Sequence, residues 1–295
     1  MLDRNHSRTA EATAAIRACH LRYDQPLVFA DPWAEHLTSP LWRTVAATPL
    51  MHYPIVRGLL RGLRPVHGWI LTRDQLTVDE LQAFVAAGGR QYVLLGAGFD
   101  SIALRRPAWL DGVRIFEVDH PATQAVKLAR MAAGGVAMPL ADFEAVPVDF
   151  EREGLAERLA ESSFDPRQPA FFAWQGVIYY LSASAIAGTL AHLARSAAPG
   201  SELVFDFLLP EFARQRGQGR ALSLARLVTA RMGERYVSFH TPEELEGLLD
   251  QAGFELLGIQ RDSDLQRRYC AGRADDLTVM HGFGIARARR KRGHS

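Results

Sequence analysis

The sequence predicts an α/β protein: a doubly wound, seven-stranded, mostly parallel sheet with an N-terminal helical cover. Three observations predict it. From residue 90 onward, short apolar runs alternate with longer amphipathic stretches, as strands joined by crossover helices do. Before residue 90 the periodicity is helical, interrupted at Pro26, Pro32, Pro40, Pro49, Pro54 and Pro65. At the junction the apolar run V-L-L ends abruptly in the turn G-A-G-F-D-S, residues 96 to 101. Glycine turns that follow a strand let a nucleotide approach the backbone closely.

Taken in order, the strands are expected at Gln91–Leu95, Val113–Val118, Val146–Asp149, Ala170–Trp174, Glu202–Phe207, Phe254–Gln260 and Leu277–Ile285. The last two are expected to close an antiparallel edge. Helices are expected near Pro121–Ala133, Arg152–Ala160, Ala183–Ala197 and Thr241–Ala252. The run Thr241-Pro242-Glu243-Glu244 is a helix start: a hydroxyl cap, proline at the first helical position, then acids against the positive dipole end. Gly253 suits the residue after the helix. The Arg-rich stretch Leu209–Val237 has no strand pattern and reads as an inserted helical segment. The chain thus divides into a helical cover or substrate lid over 1–89, a ligand-binding core over 90–286 with an insertion near 209–237, and a basic tail over 287–295.

Composition excludes several classes. At 295 residues, 48% hydrophobic and 23% charged, the chain can bury a large core. A net charge of +1 gives no whole-chain attraction to nucleic acid or to a membrane surface. The tail, with Arg287, Arg289, Arg290, Lys291 and Arg292, reads as a solvated end, with an acidic partner as the alternative. No apolar stretch reaches the roughly 18–20 residues of a membrane span, and the first residues lack the apolar region of a secretory signal. The segment Leu50–Leu71 could be a membrane-surface helix, but Pro54 and Pro65 favour a cover packed over the sheet. Cys19 and Cys270 make neither a metal motif nor a disulfide framework, which fits reduced thiols in the cytoplasm. No His/Cys cluster has ligand spacing, so no metal is expected. Nothing in the sequence specifies an oligomeric state.

The turn narrows the ligand. A dinucleotide fingerprint needs a third glycine three residues after Gly98, where Ser101 stands, and the G-K-[ST] of a Walker A loop is absent. In F-E-V-D-H-P, residues 116 to 121, Glu117 or Asp119 could take a ribose diol; Asp119, at the strand end, is favoured, and it could also be a helix cap. In V-P-V-D-F, Asp149 and Phe150 could read and pack an adenine, or Asp149 could simply cap a helix. A ribose acid, an adenine acid and a turn without phosphate glycines suggest an adenosine without pyrophosphate. S-adenosyl-L-methionine fits that description.

With these pieces in place the chain resembles the leucine carboxyl methyltransferase family, especially bacterial members that look like polyketide carboxylate O-methyltransferases. The resemblance rests on S-R-T-A-E-A-T-A-A-I-R-A (7–18), F-A-D-P-W-A (29–34), L-L-G-A-G-F-D-S (94–101), F-E-V-D-H-P, V-P-V-D-F, W-Q-G-V-I-Y-Y-L (174–181) and R-Y-C-A-G-R-A-D (268–275), in this order. It implies a class I, Rossmann-like methyltransferase core. It implies that Arg73, and Arg17 on a looser match, bind the carboxylate of the cofactor's methionine part. Gly96, Ala97 and Gly98 would form the turn, Asp119 with His120 would meet the ribose, and Asp149 with Phe150 the adenine. Tyr180 would lie near the methyl acceptor, with Tyr179 and Gln175 as further candidates at the reacting centre. The family pattern departs at two places. Gln175 stands where an acid is usual, keeping hydrogen-bonding capacity without the charge. Arg73-Asp74-Gln75 replaces an R-T-R run, so only the first arginine survives.

The implied reaction transfers a methyl group from S-adenosyl-L-methionine, leaving S-adenosyl-L-homocysteine. A carboxylate acceptor, already ionised at neutral pH, needs no general base, so orientation would carry the catalysis. The acceptor is expected to be a small hydrophobic molecule of secondary-metabolite type. Two alternatives stay open at this level. One is a hydroxyl or phenol methyltransferase with His120 or His240 as base; the other is a cofactor-binding regulatory protein without turnover, for which Gln175 is the support. A dehydrogenase is opposed by Ser101.

Overall fold

The computed structural model describes residues 8–136, 140, 142–149, 153–214 and 236–292. Seven strands form one sheet: β1 (Gln91–Leu95), β2 (Arg114–Asp119), β3 (Phe143–Pro147), β4 (Phe171–Trp174), β5 (Glu202–Leu208), β6 (Phe254–Arg261) and β7 (Phe283–Arg290). Their order is β3-β2-β1-β4-β5-β7-β6, with β7 antiparallel to both neighbours and the other pairs parallel. The order reverses between β1 and β4. Parallel strands on either side of such a reversal open a crevice at their carboxyl ends, which is where ligands bind in open α/β sheets.

The strands read as unbroken apolar runs because both of their faces are covered. Tyr92 and Leu94 of β1 pack with Trp69, Leu81 and Phe84 on one face. Val93 and Leu95 pack on the other with Leu155, Leu190 and Leu193. Each such fully buried Leu or Phe contributes roughly 1.5–3 kcal/mol.

The cover precedes the sheet: α1 (Arg8–Tyr23), α2 (Ala34–Leu37), α3 (Pro40–Ala47), α4 (Pro49–His52), a π-helix over Tyr53–Leu59 and the long α5 (Arg64–Ala86). Pro40, Pro49 and Pro65 sit in the first turn of α3, α4 and α5, where the missing N–H costs nothing; they open helices rather than break one. The cover is clasped to a late segment of the chain. Asp24 accepts from Arg57 at 2.6 Å and from Arg64 at 3.1 Å, and contacts His20 Nδ1 at 2.8 Å. Arg57 and Arg64 also reach Asp276, at 2.9 and 3.3 Å. Burial alone would raise the pKa of Asp24, but His20 and Arg64 hold it well below the usual carboxylate range.

The helix Pro242–Gln251 starts as expected, with a full capping box: Glu244 N–H donates to Thr241 Oγ1 and Thr241 N–H to Glu244 Oε2. Gly253 follows at φ +79°, a conformation only glycine adopts freely. Two strands lie elsewhere than the sequence suggests. The third covers Phe143–Pro147, not Val146–Asp149; it is an edge strand, half buried, and its last residue is a proline that need not donate. The last runs over Phe283–Arg290, not Leu277–Ile285. Arg287, Arg289 and Arg290 are therefore strand residues and not a solvated tail. Ala286 and Ala288, which alternate with Arg287 and Arg289, are fully buried, while Arg287 pairs with Glu80 and Arg289 with Glu202. A short helix, Asp262–Tyr269, was not anticipated. Of the Leu209–Val237 stretch the described part holds the helix Pro210–Arg214, and residues 215–235 lie outside the described residues.

Candidate active site

The crevice at the β1/β4 reversal holds a cavity of 380 Å³, walled by α1, α5, the glycine turn and the loop after β4. The turn is built by backbone geometry. Gly96 (φ +69°) and Gly98 (φ +52°) take the left-handed region. Gly96 N–H and Ala97 N–H donate to Val118 O at 2.8 and 3.1 Å, which ties the turn to the end of β2. Side chains are excluded here by the protein itself: a Cβ on Gly96 would stand 2.7 Å from Val177 Cγ2, and one on Gly98 3.0 Å from Ala10 Cβ.

Asp119 ends β2 beside the turn. Its Oδ2 accepts from Gly98 N–H at 2.5 Å and its Oδ1 from His120 N–H at 2.6 Å. Burial raises its pKa above the usual range, against the pull of those two backbone donors. Of the two acids in F-E-V-D, Asp119 lines the cavity. Glu117 instead pairs with Lys127 of the helix α6 (Pro121–Ala133), and burial pushes its carboxyl up to about 7.

Both expected arginines reach the cavity wall, and each already holds carboxylates. Arg17 on α1 donates from Nε to Asp31 (2.9 Å), from Nη1 to Asp74 (3.3 Å) and from Nη2 to Phe99 O (2.6 Å). Arg73 on α5 donates from Nε and Nη2 to Asp74 Oδ1 (3.2 and 3.1 Å) and from Nη1 to Asp206 Oδ2 (3.1 Å). Asp74, the residue that breaks the family run after Arg73, thus bridges the two guanidiniums. Burial opposes the charge on Arg73, but Asp206 and Asp74 keep its pKa above the ordinary value. Asp206 also accepts from Gly176 N–H at 2.7 Å, pinning the start of the loop after β4. Next to it, Gln175 Nε2 donates to Thr77 Oγ1, whose own proton goes to Arg73 O at 3.0 Å. The amide is thereby oriented with Oε1 left for other donors.

Tyr179 and Tyr180 both line the cavity, although they are consecutive. They lie on a 3-10 turn, Ile178–Tyr180, where successive side chains are about 120° apart and not 180°. Their rings meet edge-on at 4.7 Å, Tyr180 stacks on Tyr236 at 5.6 Å, and Tyr179 Oη approaches Asp206 Oδ2 at 3.5 Å.

Other candidates are not brought here. His120 is exposed and caps α6, its Nδ1 accepting from Ala122 N–H at 3.2 Å. His240 is buried outside the cavity wall, with Nδ1 4.0 Å from Glu244. Asp149 lies two residues past β3, its N–H donating to Glu153 at 3.0 Å, and is not part of the wall. Phe150 lies outside the described residues. Four wall or supporting residues escaped the sequence reading: Asp206, Thr77, His67 and Arg105. Only Asp206 left a local signal, as a lone acid inside the apolar strand L-V-F-D-F-L-L.

A glycine turn closed to side chains and an acid at the end of β2 thus share one cavity at the strand reversal. The leucine carboxyl methyltransferase model matches residues 10–194. The chain belongs to that family. It is 27% identical over 300 residues to YktD of Bacillus subtilis (strain 168), named as a candidate S-adenosyl-L-methionine-dependent methyltransferase, covering 97% of this chain and 98% of that one. Rv3787c of Mycobacterium tuberculosis (strain H37Rv), a candidate of the same kind, is 32% identical over 275 residues, covering 85% and 83%. A solved candidate methyltransferase from Thermobifida fusca shares the fold, with a TM-score of 0.60 at 17% identity over 99% of this chain and 97% of that one. The protein is an S-adenosylmethionine-dependent methyltransferase. Among the described residues no helix is long and apolar enough to cross a membrane.

Proposed function

We propose that this methyltransferase esterifies a carboxylate on a small hydrophobic acceptor. The observation that carries this reading is the state of the histidines. The one histidine on the cavity wall, among the described residues, is His67, and burial pushes it down to about 3. A group so weakly basic is a poor match for removing a hydroxyl proton near pH 7. His120 and His240, the bases a phenol would need, are not on the wall. An acceptor that arrives already ionised suits such a site, and a carboxylate does.

An incoming anion needs a cation, and Arg105 supplies one. Its Nε donates to Ser101 Oγ at 3.0 Å and its guanidinium lies over the Phe29 ring at 4.5 Å. Unlike Arg17 and Arg73, it has no carboxylate within ion-pair distance among the described residues.

The cavity divides accordingly. Gly96, Ala97, Gly98 and Asp119 would hold the adenosine, and Arg73, Arg17 and Gln175 the methionine part. S-adenosylmethionine, when bound, supplies the electrophilic methyl group. Tyr180 would orient one acceptor oxygen and leave the other free; Tyr179, tethered to Asp206, would fix the position of Tyr180. The cover over 1–89 would act as the acceptor lid on the core over 90–286. Two free buried thiols fit a reducing cytoplasm.

The test is product chemistry. The protein is incubated with methyl-labelled S-adenosylmethionine and a panel of aromatic and aliphatic acids, and the label is exposed to mild alkali. Release as methanol is expected; an alkali-stable label would move the acceptor to a hydroxyl.

A further inference from the structure

Among the described residues three histidines of the cover are buried, and their ring nitrogens meet different fates. Those of His20 are both used: Nδ1 contacts Asp24 at 2.8 Å, and Nε2 accepts from Val28 N–H at 2.9 Å. Those of His52 are sealed from solvent without a hydrogen-bond partner among the described residues, beneath the Tyr23 ring stacked at 3.7 Å. His67 is 7% exposed, and that exposure faces the cavity. It makes no hydrogen bond among the described residues, yet its nitrogens are not among the sealed polar atoms. Its polar edge is open to whatever fills the cavity and to nothing else in the described fold.

Its position separates it from the cofactor groups. His67 precedes Arg73 by six residues on α5, about 9 Å along the helix axis. Its neighbours on α5 that also line the cavity, Val66 and Ile70, are apolar. Burial, with Arg64, Arg57 and His20, keeps the imidazole uncharged against the opposing pull of the Asp24 carboxylate. A neutral imidazole offers one N–H donor and one nitrogen acceptor. It matches an uncharged oxygen and selects neither a second carboxylate nor an ammonium.

We propose that His67 anchors the body of the acceptor, which therefore carries an uncharged hydroxyl or carbonyl oxygen remote from the oxygen that is methylated. The inference rests on the reading of this chamber as the acceptor site. The acceptor class is then a hydrophobic hydroxy- or keto-acid rather than a plain fatty or aromatic acid.

The probes are naphthoic acid and its ring-hydroxylated isomers, titrated into protein saturated with S-adenosylhomocysteine. At least one hydroxylated isomer should bind roughly three- to tenfold tighter than the parent acid. In His67→Phe, which keeps a flat ring, that ratio should fall to about one with affinity for the parent acid and for S-adenosylhomocysteine unchanged. His67→Gln should restore part of it. A ratio of one in the wild type for every isomer, a ratio that survives His67→Phe, or no binding of any probe at millimolar concentration overturns the assignment. Ester formation is scored separately with S-adenosylmethionine. A preserved preference without ester formation sinks the carboxylate reading and leaves His67 standing.

Discussion

Removing the Asp206 carboxylate should destabilise the fold far more than removing its charge. Asp206 is fully buried in β5 and carries three loads: Arg73 Nη1 at 3.1 Å, Gly176 N–H at 2.7 Å and Tyr179 Oη at 3.5 Å. Asp206→Ala leaves Arg73 with Asp74 as its remaining counter-ion and orphans the Gly176 donor. Breaking a buried pair of this kind costs about 3–5 kcal/mol. In a chain of this size that lowers the melting temperature by roughly 5–8 °C. Asp206→Asn keeps an oxygen for Gly176 and loses only the charge, which Asp74 partly covers; about 1–2 kcal/mol is expected. Urea unfolding of the three proteins, followed by far-UV circular dichroism, measures both values. An alanine variant within about 1 kcal/mol of wild type, or an asparagine variant as unstable as alanine, would refute the idea that Asp206 couples Arg73 to the loop after β4.

Three further outcomes follow from particular contacts. Gly96→Ala places a Cβ 2.7 Å from Val177 Cγ2 at a φ of +69°, so the turn must shift; S-adenosylhomocysteine affinity should fall at least about tenfold, measured by calorimetry. His67 has a folded pKa pushed down to about 3, below its unfolded value near 6.5. Its contribution to stability is therefore complete above pH 6.5 and is lost as pH falls toward 3, amounting to about 2 kcal/mol between pH 7 and 5. Urea titrations across that window should show a shallower acid slope in His67→Phe, and an unchanged slope contradicts the assigned state. Burial pushes the Cys19 thiol up to about 12 and raises that of Cys270. Neither should react with an aromatic disulfide reagent at about pH 8 until the protein is unfolded; fast labelling of the native protein would show otherwise.

How much of this was legible in the sequence depended on whether the cause was local. Gly96, Gly98 and Asp119 could be read because a parallel sheet brings consecutive strand ends to one edge, so spacing along the chain becomes proximity in space. The helix starting at Thr241 was written in its own first four residues. The third strand was misplaced because an edge strand with a single fully buried residue, Val146, gives little apolar signal. The end of the last strand, from Arg287, reads as a tail because alternating Ala and Arg looks polar, and only the buried alanines between β5 and β6 reveal it. His120 attracted attention by standing next to Asp119, whereas the histidine on the wall, His67, comes from a helix 52 residues upstream of Asp119 (119 − 67). Asp74 depends on Arg17 of α1 as well as on its neighbour Arg73, and Arg105 on Phe29, and no local pattern encodes those distant partners.

The most direct test of the account is calorimetric titration with S-adenosylhomocysteine, beside NADH, of wild type, Asp119→Ala and His67→Phe. The division of the cavity predicts one micromolar site for S-adenosylhomocysteine and none for NADH, lost in Asp119→Ala and intact in His67→Phe. Undiminished binding in Asp119→Ala, or binding of NADH in its place, would contradict it.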